Sequence, residues 1–79
     1  MDKVTIKPEH QDFLTKVGEH VKKLRIQKKI KITDLVKEIG MHRNAYSQLE
    51  YGKTYFKISA LLRILDYHKI SYWDFIKNL

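Results

Sequence analysis

Apolar residues recur along this chain at helical spacing in five stretches, and each stretch predicts a helix with one face to bury. Phe13, Leu14, Val17, Val21 and Leu24 define the first, an amphipathic helix running from Pro8 to about Lys28. Pro8 suits its opening turn, because proline lacks the donor which that position leaves unused. Gly18 sits inside this helix at a cost of about 1 kcal/mol against alanine, which implies a close helix contact. The second stretch carries Leu35, Val36 and Ile39; the third carries Ala45, Tyr46 and Leu49. A fourth helix is expected from about Ile58 to His68, with Leu61, Leu62, Ile64 and Leu65 as its core face. Ser71 caps a last short helix, Tyr72 to Leu79, and Asp74 three residues on completes a capping-box-like pattern.

The middle of the chain, Ile32 to Lys53, reads ITDLVKEIGMHRNAYSQLEYGK. Its two short helices are joined at Gly40, where a left-handed turn residue is needed and a Cβ would be strained. Met41 follows as an apolar residue suited to a turn packed under both helices. Such a pair, crossing steeply over a tight turn, is a helix-turn-helix unit, here spanning residues 32–51. Its second helix turns Arg43, Asn44, Ser47 and Gln48 outward, side chains of the kind that read base edges. The flanks are less regular. Residues 1–7 show no periodicity and read as a flexible arm, although Val4-Thr5-Ile6 could pair as an edge strand in a dimer. Lys53 to Lys57 is a connector carrying the aromatics Tyr55 and Phe56.

Composition narrows the function. Seventy-nine residues make one small domain with a limited core, and without cysteine neither a disulfide nor a thiolate metal site can staple it. Sixteen Lys+Arg against nine Asp+Glu leave a net charge of +7, an excess that favours a polyanionic partner, nucleic acid first. Lys22, Lys23, Lys28, Lys29 and Lys31 crowd the end of the first helix and its following loop, partly as complements to the helix dipole. A membrane-surface role would need one strongly cationic amphipathic helix, whereas this charge is spread along the chain. No apolar run spans a bilayer and the charged N-terminus lacks a signal h-region, so a cytoplasmic location is expected. Histidines 10, 20, 42 and 68 lack metal-ligand spacing. With no Gly-rich phosphate loop and no nucleophile-base pair, neither enzyme activity, cofactor nor metal is expected. Nor does the sequence offer a second domain for a small-molecule effector.

Four pieces in order, VGEHVKKLR (Val17 to Arg25), DLVKEIG (Asp34 to Gly40), SQLEYGKT (Ser47 to Thr54) and ISYWDFI (Ile70 to Ile76), resemble the Cro/repressor-type (Xre) helix-turn-helix proteins of phages and bacteria. The resemblance implies an all-α fold, a compact five-helix lambda-repressor-like DNA-binding domain. It further implies that Arg25 and Glu50 form a partly buried structural ion pair, and that Gly52 ends the recognition helix as a left-handed cap. The chain also departs from the family. Lys31 and Ile32 stand where a Ser or Thr cap and a phosphate-touching Gln are usual, Val36 replaces a small residue, and Tyr46 replaces a β-branched aliphatic. His42 takes a position usual for Ser or Thr, and His68-Lys69 replace a Leu-Gly pair ending helix four.

Position by position, the resemblance makes His42, Arg43, Asn44, Ser47 and Gln48 the base readers, with His42 able instead to cap its helix through a ring nitrogen. Arg43 can bracket guanine O6 and N7, and Asn44 or Gln48 adenine N6 and N7. Lys31, Lys53, Thr54, Tyr55 and Lys57 are the expected phosphate contacts. Family members usually bind double-stranded DNA as two-fold dimers, and the aromatic last helix, through Tyr72, Trp73 and Ile76, is the expected homodimer interface. The rival expectation is an antitoxin or adaptor that grips a second protein with the same tail.

Overall fold

The computed structural model describes residues 5–79, and among them the chain is helical with no strand. Of the expected arm, Met1 to Val4, and with it the start of the Val4-Thr5-Ile6 strand, lies outside the described residues. Five helices follow in order: α1 Pro8–Gln27, α2 Ile32–Ile39, α3 Arg43–Glu50, α4 Ile58–Tyr67 and α5 Tyr72–Lys77. None is long and apolar enough to cross a membrane.

α1 opens on Pro8 and buries Leu14, Val17, Gly18 and Val21, a stripe at intervals of three and four residues. Phe13, expected on this stripe, is 45% exposed, because one step of about 100° carries it past the edge of the covered face. Leu24 packs half-buried against the core. Lys29 then leaves the helix at φ 57°, while its N–H and that of Ile30 return to the carbonyls of Ile26 and Arg25 at 2.9 and 3.3 Å. This is a Schellman ending built on a lysine.

α2 begins at Lys31 without a side-chain cap and buries Leu35 and Val36. Gly40 at φ 69° turns the chain, Met41 N–H bonds back to Val36 O at 3.1 Å, and α3 starts two residues later. α3 buries Tyr46, Leu49 and Glu50, whereas Ala45, expected with the apolar set, is exposed. Its end is a second Schellman turn: Gly52 sits at φ 65°, with Gly52 N–H to Leu49 O at 3.2 Å and Lys53 N–H to Gln48 O at 3.0 Å.

α4 buries Leu61, Ile64 and Leu65; Leu62, expected beside them, is 46% exposed. It closes through Lys69 at φ 57°, the place where the resembling proteins carry glycine. In α5 the Ser71 hydroxyl accepts the Asp74 N–H at 3.1 Å, the expected cap, and only Phe75 is buried. The helix stops at Lys77, short of Leu79, where Asn78 Nδ2 donates to Asp74 O at 2.7 Å.

The core gathers these stripes around Tyr46, the largest fully buried side chain. Each fully buried aliphatic contributes about 1.5–3 kcal/mol against leaving it in water. The polar side chains of Tyr46, Glu50 and His68 enter this apolar interior. The Tyr46 hydroxyl and both His68 ring nitrogens are buried without a hydrogen-bond partner among the described residues.

Candidate nucleic-acid interface

The position of α3 is set from below by α1. At Gly18 an added Cβ would lie 2.8 Å from the Glu50 carbonyl carbon, and closer still to the carbonyl oxygens of Leu49 and Glu50. Only a residue without a side chain lets the C-terminal turn of α3 rest directly on α1. At Gly52 the reciprocal contact brings a Cβ to 3.0 Å from Thr15 Cα, so the two helices meet through two glycines.

Arg25 then fastens the same turn. Its Nε donates to Glu50 Oε2 at 2.6 Å and its Nη2 to Oε1 at 3.3 Å, while Nη1 donates to Ile30 O at 3.0 Å. The bond to Glu50 pushes the guanidinium up despite its partial burial. Glu50 is almost wholly enclosed, and a buried carboxylate left without its partner would cost about 3–5 kcal/mol. Burial, and next the adjacent Glu50 carboxylate, push the Tyr46 phenol far up, so it stays neutral there. One ion pair thereby links α1, the α1–α2 loop and α3.

With its base clamped, α3 presents its other side to solvent. Arg43, Asn44 and Gln48 are exposed, and Ser47 is half-buried at the edge of that face. Asn44 and Gln48, four residues apart, share the centre of the face, and Arg43 opens the first turn. His42 occupies the N-cap but its ring makes no cap bond, so the α3 start has backbone donors left for an outside acceptor. A fixed helix with Arg43 and Asn44 exposed at its leading end, and Gln48 one turn on, is a surface that can enter a groove and hydrogen-bond base edges.

Around it the expected phosphate contacts divide. Lys31 and Lys57 are exposed at the N-caps of α2 and α4. Lys53 is exposed and lies over the Tyr51 ring, 5.9 Å from its centroid, with Lys22 of α1 at 5.3 Å from the same ring. Tyr55 differs from expectation. Its hydroxyl accepts the Lys7 N–H at 3.2 Å and shares a 2.8 Å bond with His10 Nδ1, tying the start of α1 to the connector. Thr54 Oγ1 donates at 3.2 Å to Tyr55 O. Gln48, Thr54, Tyr55 and Lys57 border one cleft, so the connector and the outward face of α3 form a continuous surface.

On α5 the exposure is uneven. Trp73 is 76% exposed with its ring 5.6 Å from that of Tyr72, while Tyr72 and Ile76 pack partly against the core. Ile58 and Leu62 of α4 are 54% and 46% exposed and one turn apart, although the sequence pattern puts Leu62 in the core and gives Ile58 no surface role. Leu62 shares a groove with Tyr72, which extends the apolar surface of α5 onto α4. The signal was present: five aliphatics in Ile58 to Leu65 exceed what one buried face can hold.

Comparison with curated proteins finds no match to the chain. A family model described as a helix-turn-helix domain matches residues 18–78, from the glycine under α3 to the end of α5. The match takes in the clamp, the turn at Gly40 and the exposed face of α3, and through it the chain belongs to the helix-turn-helix domain family of DNA-binding proteins.

Proposed function

We propose that the protein is a small transcriptional regulator of the Cro/repressor (Xre) type, binding double-stranded DNA sequence-specifically as a homodimer with α3 in the major groove. The observation that carries this reading is the outward face of α3: Arg43, Asn44 and Gln48 stand exposed on a helix that Gly18 and the Arg25–Glu50 pair hold in place. Base reading needs that combination, because a hydrogen bond discriminates only when its donor is already positioned. Lys31, Lys53 and Lys57 then serve the phosphates, with Lys22 a further donor beside Lys53. Tyr55, its hydroxyl engaged within the protein, acts by positioning the connector.

One such domain touches few phosphates, and dimerisation supplies the rest. Trp73 carries that part of the reading, since so large an aromatic at 76% exposure has no role in its own core. Tyr72 meets its ring edge-on, Leu62 shares a groove with Tyr72, and a two-fold dimer joined there is expected to read two half-sites about 34 Å apart. The same surface supports a second reading, an antitoxin or adaptor that binds another protein through α5.

Selection from a random duplex library, followed by anisotropy titration, tests the proposal. A two-fold motif is expected, with affinity falling roughly 10³–10⁵ between about 50 and 200 mM salt for 6–10 phosphates engaged. Sedimentation of wild type and Trp73→Ala is expected to give a dimer and a folded monomer. No enriched motif would refute base reading, and a monomeric wild type would leave α5 to a different protein.

A further inference from the structure

Between α3, the connector and α4 the surface dips into a cleft lined by Met41, Ala45, Phe56 and Ala60, with the exposed Gln48 and Lys57 among its walls. Ala45 is the feature that stands out. It is exposed and lies three residues before Gln48, so its methyl sits beside that side chain at the edge of the α3 face, and both border the cleft. Along the first six residues of α3 the exposed positions are therefore Arg43, Asn44, Ala45 and Gln48, three hydrogen-bonding side chains and one apolar group. Behind that methyl the cleft is also apolar, with Met41 and Phe56 half-buried against the core.

The charge around the cleft selects its occupant. Lys57 lines it, Lys53 lies just before it in the connector, and the chain carries +7 overall, so an anionic polymer is favoured there over an apolar peptide. Among the edges of unmodified base pairs in the major groove, one group is apolar: the 5-methyl of thymine. We propose that Ala45, backed by Met41 and Phe56, receives the 5-methyl group of a thymine, and so sets specificity at a base pair beside the one read by Gln48. This rests on the base-reading role of α3 proposed above. Polar side chains fix the hydrogen-bonding pattern, and the Ala45 methyl adds a contact that cytosine does not offer and that uracil lacks.

The test starts from the duplex that wild-type protein selects, and replaces each thymine in turn by deoxyuridine, which keeps the pairing and removes only the methyl. One position in each half-site is expected to lose about fourfold in affinity, ~0.8 kcal/mol, for one apolar carbon returned to water. Ala45→Ser keeps the size of the side chain at an exposed helical position and changes its chemistry. With that variant the thymine and uracil duplexes are expected to bind within about twofold of each other. A flat uracil scan, a selected site without thymine, or an undiminished fourfold preference in Ala45→Ser would overturn the proposal while leaving base reading by α3 intact. Selection of no duplex at all would overturn both.

Discussion

Replacing Gly18 by alanine sets two effects of opposite sign against each other. Inside an exposed helix the change stabilises by about 1 kcal/mol, because alanine loses less backbone freedom on folding. In this protein the new Cβ would stand 2.8 Å from the Glu50 carbonyl carbon, with the Leu49 and Glu50 oxygens nearer. Carbon atoms rest at about 3.5–4.0 Å, so α1 and α3 must part by roughly 0.7 Å or more. Overpacking of that kind costs about 1–3 kcal/mol, and the upper end applies here because the obstacle is backbone that has no other rotamer to adopt. Separation also stretches the Arg25–Glu50 bond, 2.6 Å long in a nearly closed site. We therefore expect Gly18→Ala to destabilise by about 2 kcal/mol net, out of some 4–12 kcal/mol for a domain of this size. Its Tm should fall by roughly 8–16 °C, read by circular dichroism and checked by urea denaturation at 25 °C. DNA affinity should drop further than the folded fraction does, since α3 is displaced from its seat. A variant as stable as wild type, or more stable, would refute the claim that this glycine exists for helix contact.

The other predictions concern the clamp, the two buried or strained positions, and the reading face. Arg25→Met should destabilise by about 3–5 kcal/mol in urea titrations, because Glu50 stays buried without a partner; adding Glu50→Leu should recover most of the loss. His68 is buried, and desolvation, then the charge of Lys28, push its ring down, so below about pH 6.5 the unfolded chain takes up that proton before the native one does. Its contribution to stability is thus complete above that pH and erodes as pH falls towards the native value. His68→Leu should remove this part of the slope and stabilise by about 1–3 kcal/mol, as no ring nitrogen is left unpaired. Lys69 holds φ 57°, so Lys69→Gly should raise stability by about 0.5–1 kcal/mol, the left-handed strain relieved less the added chain entropy. Arg43→Ala should cost about 1–3 kcal/mol of binding and relax preference at one base pair in a selection experiment; uniform weakening on every sequence would make Arg43 a phosphate contact instead.

Local chemistry makes much of this protein legible in its sequence alone. The turn at Gly40, the cap at Ser71, the left-handed ending at Gly52 and the periodic stripes each depend on a few neighbouring residues, and a chain records such rules directly. The family pattern added the Arg25–Glu50 pair, which no spacing argument could have found across 25 residues. What remained hidden was how wide each buried stripe is, because a neighbour and not the helix itself decides what is covered. Phe13, Ala45 and Leu62 all stood at helical spacing with core residues, yet each falls just outside the area that the packed helices close off. Tyr55 looked free to meet a phosphate until folding brought Lys7 and His10 to its hydroxyl. Gly18 announced a close contact but not its partner, and Trp73 was apolar enough for core or surface alike. Periodicity names the face a helix must bury. Only the assembled fold, through the shape and reach of distant side chains, settles where that face ends and which residues are left to act on something else.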